Sequence, residues 1–98
     1  MTDDSLPAQT RRLHRHLEAT AEVPIDRTAN RWLGEAEAIA GDIASNDLDR
    51  ETTLERVAKI RGLLAEIDVT GHEGADEHLE AAKGICATIL EGDGPTPP

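Results

Sequence analysis

Four histidines stand at His14, His16, His72 and His78. His14 and His16 are two residues apart, so a helix holding both points them to different faces. His14 and Glu18 are four apart, on one face, and could share a metal ion. A di-iron bundle needs more, a Glu-x-x-His from each of two helices. Arg11, Leu13, Val69 and Ala75 occupy the positions three before the histidines, so the sequence lacks the pattern for that chemistry. His72, Asp68 and Asp76 could approach one another near a loop. The plainer alternative there is a solvated loop histidine.

The carboxylates offer two further patterns. Asp47-x-Asp49-x-Glu51 resembles the opening of a calcium loop, but Thr52 and Ala58 stand where such a loop needs glycine and a bidentate glutamate. Paired acids in a helical bundle can also hold magnesium for nucleotide pyrophosphate hydrolysis, from a Glu-x-x-Glu and a Glu-x-x-Asp on a later helix. Glu77-x-x-Glu80 and Glu73-x-x-Asp76 have the spacing, yet they overlap on one helix in the wrong order. A solvated acidic face accounts for them more simply. His72, Asp76, Glu77 and Glu80 remain the candidate metal set. Cys86, the only thiol, falls on an apolar seam between Ala82 and Ile89 and reads as an inert core residue. Ser5 and Ser45 sit at helix ends, with no nucleophile turn and no Gly-rich phosphate loop around them. No cofactor is expected.

Four segments with a helical period must position these groups. The spacing predicts helices over about 6–22, 27–45, 50–68 and 73–91. Leu6, Leu13 and Leu17 line the first, joined by Thr10, Thr20 and Ala21, with Ser5 as cap and Pro7 in its first turn. Pro24 ends it. Asp26 caps the second, whose seam is Ala29, Trp32, Ala36, Ile39 and Ile43, widened by Leu33 and Ala40. Asp49 caps the third, with Leu54, Val57, Ile60, Leu64 and Ile67 in register and Gly71 as C-cap. The fourth carries Ala75, Leu79, Ala82, Cys86 and Ile89; Gly84 weakens it. Short connections between long helices force antiparallel neighbours. The fold class is therefore all-α, an up-down-up-down antiparallel four-helix bundle. It fills one domain over 1–92, and the Gly/Pro-rich stretch 93–98 is expected to be a mobile tail.

Composition narrows the function further. The 98 residues include one Trp, no Tyr and no Phe. A chain without stacking platforms is a poor single-strand nucleic-acid binder. The formal charge of −10 repels phosphate backbones and anionic lipids. No nucleic acid and no membrane is expected as partner. Only Lys59 and Lys83 are lysines. Abundant carboxylates, few lysines, much alanine and few large apolar residues read as the surface of a halophilic, salt-filled cytoplasm, where molar salt screens the repulsion. A lone cysteine and the absence of a leader or spanning segment fit a cytoplasmic protein.

The stretch Leu17–Ala40 is the most singular. It holds Trp32, Asn30 in mid-helix, and Arg27 and Arg31 one turn apart, with Arg11, Arg12 and Arg15 on the preceding helix. From Glu66 onward Lys83 is the only base. Such polarity can steer one protomer onto its twin, or form a small-anion site, or reflect only i,i+4 pairing with Glu22 and Glu35. The run HLEATAEVPIDRTANRWLGEAEAIA, with ERV…IRGLLAEID and GADEHLEAAK, resembles a family of short, uncharacterised, acidic helical proteins from haloarchaea. The resemblance covers about Leu6 to Gly92. It implies a cytoplasmic haloarchaeal origin and transfers no functional residue.

The leading expectation is a non-enzymatic protein–protein interaction or regulatory module, most simply a homodimer, because a small core with one aromatic gains from a partner. Its interaction candidates are Trp32, Leu33, Arg27, Arg31 and Arg15. The alternative is a metal-dependent hydrolase or metal-binding bundle using the acidic cluster of the last helix. A nucleic-acid binder would need all five first-hairpin arginines on one continuous face.

Overall fold

A computed structural model describes residues 5–46 and 48–92. The tail expected over 93–98 lies outside the described residues, as does Asp47. Four helices follow in order: α1 (Leu6–Ala21), α2 (Arg27–Ser45), α3 (Arg50–Ala65) and α4 (Glu73–Gly92). At 1.5 Å per residue they are roughly 24–30 Å long. Among the described residues there is no strand.

The helix starts follow from their caps. Ser5 Oγ accepts from Ala8 N–H at 3.3 Å. Asp26 Oδ2 accepts from the amides of Thr28 and Ala29. Asp49 Oδ1 accepts from Thr52 N–H at 2.7 Å, and that bond holds its carboxyl below the usual range. α4 is started by an unforeseen residue. His72 Nδ1 accepts from Ala75 N–H, and its carbonyl accepts from Asp76 N–H.

Each helix packs on its two neighbours in a ring: α1 on α2 and α4, α3 on α2 and α4. The amide of Asp26, in the α1–α2 connection, donates to the carbonyl of Thr70, in the α3–α4 connection, at 2.6 Å. Both connections therefore lie at one end. The other end gathers Leu6 and Pro7 from the start of α1, Ile43 and Ala44 from the end of α2, and Leu48, Arg50 and Thr53. That is the up-down-up-down arrangement.

The core is Leu13 and Leu17 from α1, Leu33 and Ile43 from α2, Val57, Ile60 and Leu64 from α3, and Leu79, Cys86 and Ile89 from α4, with alanines between. Three threonines share it by bonding back into their own helices. Thr10, Thr20 and Thr53 donate to the carbonyls of Pro7, Leu17 and Asp49. Their hydroxyls are satisfied and their methyls pack.

Four expectations need correction. The buried stripe of α2 is Ala29, Leu33, Ala36, Ala40 and Ile43. Trp32 and Ile39 only flank it. The smaller Leu33 and Ala40 take the seam, and the indole packs at its edge. On α3 the buried stripe uses Thr53 where Leu54 was expected, and Leu54 is half-buried. α3 also ends at Ala65 rather than near 68. Glu66 N–H reaches back to Leu63 and Leu64, and Ile67 N–H to Leu64, tightening the last turn. Ile67 stays buried after the backbone has left the helix, and Lys83 Nζ donates to its free carbonyl at 2.9 Å. Gly71 thus stands well past the helix end and is not a C-cap. Its φ of +85° turns the chain into α4. Smaller differences are Glu22, which caps α1 from outside, and Gly92, which α4 includes.

Candidate functional site

The connection end of the bundle carries the most distinctive surface. Trp32 of α2 faces Ile67 and Val69 across a shallow pocket also lined by Asp26, Thr28, Ala29, Glu66 and Asp68. The indole is half-buried against the core, with the Arg31 guanidinium 5.9 Å above its ring. That spacing suits a cation–π contact. Val69 is 66% exposed, the one large apolar side chain left in solvent among the described residues. Asp26, Glu66 and Asp68 put three exposed carboxylates on this lining. Arg27 and Arg31 are exposed on α2, and Arg31 reaches the patch over the indole.

The other interaction candidates are not at this patch. Leu33 is 2% exposed and belongs to the core, so it is no anchor on the isolated chain. Arg15 is exposed on α1 and does not line the Trp32 pocket.

The candidate metal set on α4 does not converge. Asp76 Oδ1 accepts from both the amide of Thr70, at 2.6 Å, and its hydroxyl, at 2.8 Å. Those bonds hold its carboxyl below the usual range. His72 Nδ1 is used in capping. Glu77 and Glu80 are exposed, and Glu80 lies 3.8 Å from Lys83. These side chains build the α3–α4 turn and a solvated helix face.

Convergence occurs elsewhere. Among the described residues, one set of three potential ligands has donor atoms all within 4.8 Å of one another: His14 and Glu18 of α1 and Glu37 of α2. His14 Nδ1 is 3.6 Å from Glu18 Oε1. The i,i+4 pair was legible in the sequence; Glu37 was missed. Only the register of the α1–α2 hairpin places it opposite His14, and no local spacing carries that.

His14 and His16 do diverge. His16 leans to α4, where its Nδ1 is 2.9 Å from Nδ1 of His78. The rings are tilted, with centroids 5.2 Å apart. Burial, then the charges of His78 and Arg12, lower the His16 pKa.

The profile of one protein family, Domain of unknown function (DUF8152), matches residues 9–95. The chain belongs to that family. No curated protein and no solved structure matches it. The DUF8152 match takes in most of α1 and the whole of α2, α3 and α4, so the Trp32 patch and the histidine and carboxylate clusters all lie inside it. Within this DUF8152 domain Cys86 is fully buried, and burial pushes its thiol up to about 12. A thiol that stays protonated at neutral pH is no nucleophile. No helix among the described residues is long and apolar enough to cross a membrane.

Proposed function

We propose that the chain is a non-enzymatic interaction module that pairs with a second copy of itself through the Trp32–Val69 end of the bundle. One observation carries this reading: Val69, 66% exposed, stands beside a half-buried Trp32 on a lining of carboxylates that the Arg31 guanidinium overhangs. Arg27 and Arg31 lie on the α2 side, Glu66 and Asp68 on the side of the α3–α4 connection. A two-fold axis through such a patch sets Trp32 and Val69 against their copies and each basic side against the acidic side of the twin. An isologous interface must be self-complementary in this way. Tryptophan is the residue most enriched at interface hot spots. Leu33 takes no part, and Arg15 contributes only to the polarity of the first hairpin.

The setting proposed for this module is a salt-rich cytoplasm of haloarchaeal type. The net charge of −10, the two lysines and the absence of Phe and Tyr support it. A hydrolase built on His72, Asp76, Glu77 and Glu80 has weaker support, because His72 and Asp76 are already committed to the α4 cap and turn.

Light scattering on the eluting peak is the direct test. The expected mass is twice the 10.5 kDa of the chain. Val69→Asp, which leaves the core untouched, and Trp32→Ala should each return the peak to a monomer. A monomer at every concentration, or a dimer indifferent to Val69→Asp, would refute the pairing.

A further inference from the structure

We propose that His14, Glu18 and Glu37 form a divalent transition-metal site of the zinc class that clamps α1 to α2. The set offers one imidazole nitrogen and two carboxylate oxygens, within 4.8 Å of each other, from two different helices. Ligands about 2.0–2.2 Å from one zinc ion lie roughly 3–4 Å apart. Small rotamer changes close that gap. Imidazole with carboxylate is a borderline donor set that suits Zn²⁺ or Co²⁺ better than Ca²⁺. The charges also fit: two carboxylates and a neutral imidazole sum to the opposite of a divalent ion.

Two independent features point the same way. Glu37 is half-buried on α2 and has no cationic neighbour on its own helix, because the positions three and four away hold Leu33, Gly34, Ala40 and Gly41. The titratable neighbours placed beside it come from α1, His14 and Glu18. Gly41, one turn beyond Glu37, makes the berth for the imidazole. A Cβ there would lie 3.1 Å from His14 Nε2. The ring therefore rests its Nε2 edge on the α2 backbone and turns Nδ1 toward Glu18. The His14 side chain is 25% exposed and that of Glu18 53%, so one side of the site stays open to water. Three protein ligands plus solvent is the arrangement of an open metal site.

This site is separate from the Trp32–Val69 patch, and its test does not depend on pairing. Titration of the full chain with Zn²⁺ at neutral pH, followed by calorimetry, is expected to show one equivalent bound. Co²⁺ should give the visible bands of a low-coordinate ion, and Zn²⁺ should raise the melting temperature by linkage. Glu37→Gln and His14→Ala should each weaken binding about tenfold or more, while circular dichroism shows the helices intact. Gly41→Ala is the sharper variant. It replaces no ligand and favours the helix, yet its methyl would press on the His14 ring and should weaken zinc by displacing it. His16→Ala should leave the affinity unchanged. Absence of binding below about 1 mM, binding that survives both ligand substitutions, or loss with His16→Ala instead would overturn the proposal.

Discussion

His16 and His78 bring two ring nitrogens to 2.9 Å. One proton between them makes a hydrogen bond; two make a clash of like charges. Burial first, and then this repulsion and the charge of Arg12, make His16 give up its proton more readily in the folded chain, below the ordinary value of 6.5. The unfolded chain takes that proton near 6.5, the folded chain only at lower pH. Between the two values the unfolded state holds more protons, so stability falls as pH falls through that window. Asp49 and Asp76 have lowered pKa values too, but as acids, so their contributions fade only below 3.8. Melting temperature should thus decline from about pH 7 to about pH 5, and His16→Gln should flatten that decline. An unchanged slope in the variant would sink the account. His14 and His16 were visible in the sequence as residues on different faces. Their partners were not, because His78 and Glu37 reach the site through helix packing rather than through local spacing.

The caps made three of the four helix starts legible, since Ser5, Asp26 and Asp49 have the right chemistry immediately before a periodic run. Two things at the element scale escaped. Steps of 29-32-36-39-43 and 29-33-36-40-43 fit the α-helical period equally well, and side-chain volume decides between them. Ile67 keeps the period of Ile60 and Leu64 after the helix has stopped, so the pattern ran past the backbone. What ends α3 and starts α4 is a polar knot around Thr70, which is fully buried. Its amide donates to Asp76, its hydroxyl faces the carboxylate of Asp76 and the carbonyl of His72 and accepts from the His72 amide, and its own carbonyl accepts from Asp26. Thr70→Val keeps the shape and removes the hydroxyl. The loss should be about 1–3 kcal/mol, read as a lower urea midpoint with an unchanged slope.

Across the whole molecule the arginines gather on the first hairpin, and beyond Glu66 Lys83 is the only base. A net charge of −10 on 98 residues opposes compaction in dilute buffer. Raising KCl from about 0.1 M to about 1 M shortens the screening length from roughly 10 Å to roughly 3 Å. The melting temperature should climb over that range and continue upward in molar salt. A flat response in scanning calorimetry would mean that the surface acids do not repel one another enough to matter. The same screening weakens the charge pairing proposed across the dimer, which leaves Trp32 and Val69 to hold it at high salt.

Trp32 has one more consequence. It is the chain's sole indole, in a protein with no Tyr or Phe. Near-ultraviolet light is therefore absorbed almost entirely at one place, and that place is the rim of the bundle, not its middle. Emission from this protein will chiefly report whether the rim is wet or covered. The aliphatic interior, of leucine, isoleucine and alanine, is optically silent.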